Sequence, residues 1–137
     1  MDATIQTQAG LRPAPLLRLA LIGDAIASGA MGLLTLGLGA MLAPLLGLPA
    51  GLLQAAGAVL LPYAALVAWL ARRAEMPGWA VWTVIGVNLV WAADSLLLLA
   101  SGWVAPSGLG IAFVVAQALS VAGFAAAQWV GLARSRG

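Results

Sequence analysis

The sequence predicts an all-α polytopic membrane protein, a bundle of four transmembrane helices with both termini in the cytoplasm. Of its 137 residues, 64% are hydrophobic and only 7% are charged, and the mean hydropathy is +1.07. A soluble domain of this size needs far more charge to cover its surface. The apolar residues form four runs, each as long as or longer than the ~20 residues that cross a bilayer. All of the basic residues are arginines near the ends of these runs.

The chain begins with a polar segment, residues 1–15, that contains two prolines and shows no apolar periodicity. We expect this segment to form a tail in water or on the membrane surface. The remainder, 16–137, is predicted to be one transmembrane domain. Its first apolar run lacks the cleavage site of a signal peptide, so we expect it to remain as a helix over about 16–46. The inward face of this helix is predicted to carry Asp24, Ser28, Met31 and Thr35, with Gly32 and Gly39 beside them.

The second helix is predicted over about 52–70, after an uncharged turn. At 3.6 residues per turn, Gln54 and Arg72 fall on one face of this helix, and Tyr63 falls on the opposite face. The loop that follows is charged and contains Arg72 and Arg73. We expect these two arginines to set the topology of the chain.

The third helix, about 79–100, is long enough to cross a bilayer but carries Asn88, Trp91 and Asp94. Polar side chains are costly in hydrocarbon unless they face protein or water, so this helix must pack among the others. A second uncharged turn precedes the fourth helix, about 109–132. Gln117 and Gln128 are eleven residues apart in it, which is close to three turns, so they share a face.

The distribution of arginines predicts the orientation. Arginines precede the first helix, join the second to the third at Arg72 and Arg73, and follow the fourth, whereas the other two turns are uncharged. By the positive-inside rule, both termini and the charged loop are cytoplasmic. Basic residues that are all Arg, in a chain rich in Ala, Leu and Gly, are typical of a GC-rich bacterial genome. We therefore expect the bacterial inner membrane.

The residue types that are missing exclude several chemistries. The chain has no Cys, His or Lys, so a thiol nucleophile, an imidazole base and a Schiff-base lysine are impossible. Asp24 and Asp94 are expected about 15–20 Å apart in depth, too far for paired-carboxylate catalysis. A net charge of +2 without a basic patch does not favour nucleic-acid binding. We therefore predict no enzymatic activity, no catalytic residues, and no metal or cofactor.

The candidate site consists of polar residues inside the four helices. They are Asp24, Gln54, Asn88, Trp91, Asp94, Gln117 and Gln128. One hypothesis is that they connect the helices through hydrogen bonds of about 0.6–2 kcal/mol each. Asp24 would then pair with Arg72 or Arg73, and Asp94 would either bond to Gln54 or lie near water. On the sequence alone we favour this hypothesis, which makes the protein a structural or accessory membrane subunit.

The alternative is a small transporter or a channel-forming subunit that uses an intramembrane carboxylate to bind a proton or a cation. Asp94 is the better candidate for this role because no basic residue of the sequence stands near it. Besides the lipid bilayer, the expected partners are further copies of the chain or a larger membrane complex, because helices rich in small residues pack closely.

The length and the number of helices resemble the small multidrug resistance transporters, four-helix proteins with an acidic residue in the first helix. The run Ala80-Val81-Trp82 at the start of the third helix is similar to a stretch of that family. Two features differ. The family has a Glu deep in its first helix, whereas Asp24 is near the cytoplasmic end, and many members lack the strong charge bias of this chain. We do not assign the chain to that family.

Overall fold

The computed structural model describes residues 10–136, so the first nine residues of the expected tail lie outside the described part. The described chain is all-helical. It forms α1 (Pro15–Leu46), α2 (Ala50–Ala71), α3 (Gly78–Ser101) and α4 (Gly108–Ser135). Each helix is long and apolar enough to cross a membrane, in agreement with the sequence. The limits differ from the predicted ones by three residues or fewer.

The turns at one end of the bundle are short and well defined. α1 ends at Gly47, whose left-handed backbone (φ 67°) stops the helix while its N–H bonds to the carbonyl of Ala43. α3 also ends at a glycine with a left-handed backbone, Gly102 (φ 79°). Ser107 caps the start of α4, because its hydroxyl accepts a hydrogen bond from the N–H of Gly110 at 3.1 Å. These turns define the uncharged end of the bundle.

Small residues bring α1 close to two neighbours. α1 packs against α2 and α4, and α3 packs against α4. A β-carbon on Gly57 of α2 would lie 2.7 Å from the carbonyl oxygen of Gly32 and the amide nitrogen of Leu36. A β-carbon on Gly131 of α4 would lie 2.6 Å from the backbone of Leu17. Both crossings therefore require glycine, as the spacing of small residues in the sequence suggests.

We call the opposite end of the bundle the charged end. It contains the loop between α2 and α3, the first turn of α1 and the last turn of α4. Side chains from all four helices form an apolar cluster there. The cluster includes Leu17, Leu21, Val67, Leu70, Met76, Val81, Ile85 and Leu132. Several of its members are fully buried, which closes this end of the bundle around a dry core.

The segment before α1 is attached to the charged end. Leu11 pairs with Met76 through two backbone hydrogen bonds, of 2.6 and 2.8 Å. The N–H of Ala14 donates to Ser135 Oγ at 2.8 Å. The described part of the predicted tail is therefore attached to the loop and to α4, and its position relative to the membrane stays a prediction.

Arg18 also connects two helices at the charged end. Its guanidinium group donates to the carbonyls of Ala71 and Arg73, where α2 ends. The last carbonyls of a helix have no partner within the helix and carry partial negative charge. A guanidinium from α1 therefore caps α2.

Candidate functional site

Asp24 is at the centre of a polar network that joins all four helices. Its side chain is 1% exposed. Oδ1 accepts a hydrogen bond from the Ser28 hydroxyl of the same helix at 3.0 Å. Oδ2 lies 2.9 Å from each of three donors, the Tyr63 hydroxyl of α2, Asn88 Nδ2 of α3 and Gln128 Nε2 of α4.

The partners of Asp24 also bond to one another. Asn88 Nδ2 donates to Gln128 Oε1 at 3.1 Å, and the Tyr63 hydroxyl lies 2.9 Å from Asn88 Oδ1. Asn88 and Gln128 are both buried. Within the described chain, no buried side-chain nitrogen or oxygen lacks a hydrogen-bond partner. This part of the bundle therefore meets the requirement that polar groups inside a membrane protein be satisfied internally.

The expected ion pair between Asp24 and Arg72 or Arg73 is not formed, because the partners of Asp24 in the described chain are neutral. Both arginines are exposed, and the guanidinium of Arg73 stacks over the ring of Trp69, 4.8 Å from its centroid. Depth explains the difference. Asp24 lies nine residues inside α1, roughly 13–14 Å along the helix axis, beyond the reach of the loop.

Tyr63 is the network residue that sequence reasoning missed. Counted from the charged end, Asp24 is nine residues along its helix, Tyr63 eight, Asn88 ten and Gln128 seven. The four side chains therefore lie at one depth. That common depth, together with the position of Tyr63 in the middle of an apolar helix, is the signal that could have identified it.

Beyond the network, towards the uncharged end, the helices line a partly open cavity of about 320 Å³ that we call the Asp94 cavity. Its walls are mostly apolar and come from all four helices. Its polar lining consists of Thr35, Trp91, Asp94, Ser95 and Gln117. Asp94 is exposed rather than sealed inside the protein. The cavity therefore has a mostly apolar wall that contains one carboxylate.

The Asp94 cavity lies between α2 and α3. α2 contributes Leu52, Leu53, Ala56 and Leu60 to its lining, and α3 contributes Trp91, Asp94, Ser95 and Leu98. The close helix pairs are α1 with α2, α1 with α4, and α3 with α4. The side between α2 and α3 is therefore the open one. In a bilayer this opening would face the lipid.

A smaller cavity of about 130 Å³, which we call the Asp24 cavity, adjoins the first. It is lined by Asp24, Ser28 and Ser120, among others. Four residues line both cavities and stand between them: Met31, Leu60, Trp91 and Gln117. Two of these are joined across α3 and α4, because Trp91 Nε1 donates to Gln117 Oε1 at 3.0 Å. The two cavities therefore lie next to each other, one lined by Asp94 and the other by Asp24. The hydrogen bond between the indole of Trp91 and the amide of Gln117 lies at the boundary between them.

The structure divides the candidate residues of the sequence into three groups. Asp24, Asn88 and Gln128 meet in the network. Trp91, Asp94 and Gln117 line the Asp94 cavity. Gln54 belongs to neither, because it is exposed and its side chain packs beside Gly39. A bond between Asp94 and Gln54 is not formed in the described chain.

Among the described residues, no group of three or more His, Cys, Asp or Glu side chains is placed to hold a metal ion. Comparison of the chain with models of known families, with characterised proteins and with solved structures gave no match. The function is therefore inferred from the chemistry of the two cavities and the network.

Proposed function

We propose that this protein is a non-enzymatic membrane protein that binds a lipophilic organic cation in the Asp94 cavity and carries it as a small transporter. The observation that carries the proposal is a mostly apolar cavity of about 320 Å³ with one carboxylate in its wall. A volume of this size is at the lower end of the range for small-molecule sites, ~300–1,000 Å³.

The charge balance around Asp94 favours a cationic ligand. Asp94 is sixteen residues into α3, roughly 24 Å from the charged end, where all six arginines of the sequence lie. No guanidinium is therefore available to neutralise its carboxylate. A carboxylate in apolar surroundings is stabilised by an opposite charge, which a bound cation would supply.

Two further features of the cavity suit such a ligand. The indole of Trp91 is part of the wall, and a tryptophan ring attracts a cation placed over its face. The opening between α2 and α3 would give direct access to a molecule dissolved in the bilayer. Both features favour an amphipathic cation over a hydrated inorganic ion, which prefers a cage of oxygen ligands.

The structural or accessory subunit that the sequence favoured is the second candidate. For that function we expected Asp94 either to form a hydrogen bond with Gln54 or to lie near water. The Asp94–Gln54 bond is not formed, and the carboxylate instead lines a cavity large enough for a ligand. We therefore place ligand binding first and use the experiment to separate the two functions.

The test uses two compounds of one shape and different charge, benzyltrimethylammonium and neopentylbenzene. Equilibrium dialysis against the purified protein measures the Kd of each compound. We expect Asp94→Asn to weaken binding of the cation at least about tenfold, which is ~1.4 kcal/mol, and to leave the neutral compound unaffected. Glu75→Gln is the matched control, because it removes one carboxylate from the exposed loop at the charged end.

Uptake of benzyltrimethylammonium into reconstituted vesicles then distinguishes transport from binding alone. Transport is supported by protein-dependent accumulation of benzyltrimethylammonium that Asp94→Asn abolishes and Glu75→Gln preserves. The proposal is wrong if the cation does not bind, or if it binds equally well to Asp94→Asn. If the folded protein neither binds benzyltrimethylammonium nor takes it up, the structural or accessory subunit becomes the favoured function.

A further inference from the structure

Positive charge is concentrated at the charged end of the bundle. All six arginines of the sequence lie there, and the described chain places one carboxylate beside them, that of Glu75. Asp24 and Asp94 lie nine and sixteen residues inside their helices, too deep to neutralise this surface. The described part of the charged end therefore carries an excess of positive charge that the proposed function does not use.

The arginines of this end differ in what holds them. The guanidinium of Arg18 donates to two backbone carbonyls where α2 ends, so it is occupied within the protein. The guanidinium carbon of Arg73 lies 4.8 Å from the ring centroid of Trp69. That of Arg136 lies 5.7 Å from the ring centroid of Trp82. A tryptophan ring attracts a cation at such distances, so each of these two Arg–Trp pairs holds a guanidinium group beside an indole.

Both Arg–Trp pairs lie on the outside of the bundle, near the ends of the apolar helices. Trp69 is two residues before the end of α2, and Trp82 is four residues after the start of α3. Both rings are exposed. Tryptophan rings are common at this level of a membrane protein, beside the lipid headgroups. Arg136 reaches this level from the end of α4, so the second pair also connects two helices.

The contact with tryptophan leaves hydrogen-bond donors of the arginines for another group. A guanidinium has five N–H donors, whereas an indole nitrogen is a donor and does not accept. In Arg73, Nε donates to the backbone carbonyl of Glu75 at 3.2 Å. The two terminal nitrogens of an arginine form a fork that matches two oxygens of a phosphate group. Each pair therefore combines a positioned positive charge with donors suited to phosphate.

We propose that each Arg–Trp pair binds the headgroup phosphate of an anionic phospholipid. The guanidinium donates to oxygens of the phosphodiester, and the indole beside it packs against the glycerol backbone of the lipid. The ligand is therefore a phosphodiester that carries acyl chains and a net negative charge.

The helix surface beyond each pair is suited to the acyl chains. Leu66 is three residues further into α2 from Trp69, and Leu89 is seven residues further into α3 from Trp82. Both leucines are exposed. Spacings of three and seven residues keep the leucine and the indole on one face of the helix. A phosphate with acyl chains beside it therefore fits both pairs better than a soluble anion does.

The charge around the pairs favours an anionic lipid over a zwitterionic one. Basic residues at a membrane surface attract acidic lipids. The positive group of a zwitterionic headgroup would be repelled by the other arginines of this end, among them Arg72 and Arg134, which are exposed. A headgroup with a net negative charge, such as that of phosphatidylglycerol, is therefore preferred.

The experiment uses native mass spectrometry of the purified protein, which counts bound lipids and gives a Kd for each. The probes are phosphatidylglycerol and phosphatidylcholine with the same acyl chains, which differ in net charge. We expect the unaltered protein to bind one phosphatidylglycerol at each pair, at least about fivefold more tightly than phosphatidylcholine.

Arginine variants distinguish the two pairs from general positive charge. Arg73→Gln and Arg136→Gln are each expected to lose the phosphatidylglycerol of their own pair, and the double variant to lose both. Arg72→Gln and Arg134→Gln are the matched controls, because each removes one exposed arginine from the same loop or the same helix end. The controls are expected to keep both lipids and to change each Kd by less than about twofold.

Tryptophan variants test the role of the rings. Trp69→Leu and Trp82→Leu keep every arginine but remove the indole that holds Arg73 or Arg136. Each is expected to weaken binding of phosphatidylglycerol at its own pair about threefold and to leave the other pair unchanged. All of the substituted residues are exposed, so these variants are expected to fold.

Inorganic phosphate and hexaglutamate test other sources of negative charge, and neither is expected to displace phosphatidylglycerol at millimolar concentration. The proposal is overturned if the two lipids bind equally, if the controls lose as much lipid as Arg73→Gln and Arg136→Gln, or if either soluble anion displaces the lipid. Asp94 lies roughly 24 Å from the charged end, and no organic cation is added. Failure here is therefore distinct from failure of the proposed function.

Discussion

Gln128 shows how strongly single side chains are constrained in the network. It is 0% exposed, donates to Asp24 and accepts from Asn88. Gln54 is the contrasting residue, since it is exposed on α2. Two glutamines in apolar helices therefore have different roles, and the difference lies in the partners that their neighbours provide.

Replacing Gln128 by Leu should reduce the free energy of unfolding by about 1–3 kcal/mol, because Asp24 and Asn88 each lose a partner while remaining buried. Replacing Gln54 by Leu should change it by less than about 0.5 kcal/mol. Reversible unfolding of the two variants in mixed micelles measures both values. Equal losses would contradict the assigned partners.

The network also shows which residue positions are predictable. The depth of Asp24 relative to Gln128 follows from counting turns from the helix ends, and in the structure the two side chains meet. The face of α2 does not follow, because it depends on how the helix rotates against α1. The sequence therefore put Gln54 towards the interior and Tyr63 on the opposite side, whereas Tyr63 reaches Asp24. The missing ion pair with Arg72 or Arg73 has a different cause, because Asp24 lies too deep in α1 for an arginine of the loop to reach it.

At the scale of elements, the helix pairs differ in how closely they approach. α1 and α2 cross so tightly at Gly57 that even a methyl group has no room. Gly37, on α1, has no atom of another part of the described chain within 4 Å of its β-carbon position. Helix limits could be predicted from run length and turn residues. Which glycines are needed for packing could not be predicted, because a glycine on the outer face of a helix looks the same in the sequence as a glycine at a helix crossing.

Gly57→Ala and Gly37→Ala are therefore expected to have opposite effects. The first should destabilise the protein by about 1–3 kcal/mol, because the added carbon meets backbone atoms that cannot move aside. The second should stabilise it by up to about 1 kcal/mol, because alanine is the better helix former. Thermal unfolding in one detergent compares them, and a stable Gly57→Ala variant would contradict the close crossing.

At the scale of the whole molecule, the two ends are unequal. The charged end is closed by an apolar cluster, the Arg18 cap and the Leu11–Met76 pairing, whereas the region towards the other end contains a cavity. The length of the apolar runs and the placement of the arginines predict four transmembrane helices and a bundle with one charged and one uncharged end. They do not predict the cavity, because it results from α2 and α3 standing apart, which is a property of packing and not of either helix alone.

Orientation in the membrane stays a prediction of the arginine distribution, and single cysteines can test it. We expect Ala74→Cys, in the charged loop, to react with a membrane-impermeant maleimide only after the cytoplasmic side is exposed. Ala105→Cys, in the turn before α4, should react in intact cells, because that turn is predicted to lie outside. The reverse pattern would show that the charged loop is external.

The central claim, that a cation occupies the cavity beside Asp94, is tested most directly by protection of a cysteine placed there. Ser95→Cys adds a thiol to the lining, next to Asp94, and Ser101→Cys adds one on the exposed end of the same helix. Benzyltrimethylammonium should slow alkylation of the first thiol and not of the second, and Asp94→Asn should remove the protection. Alkylation of Ser95→Cys at an unchanged rate under saturating cation would contradict the claim.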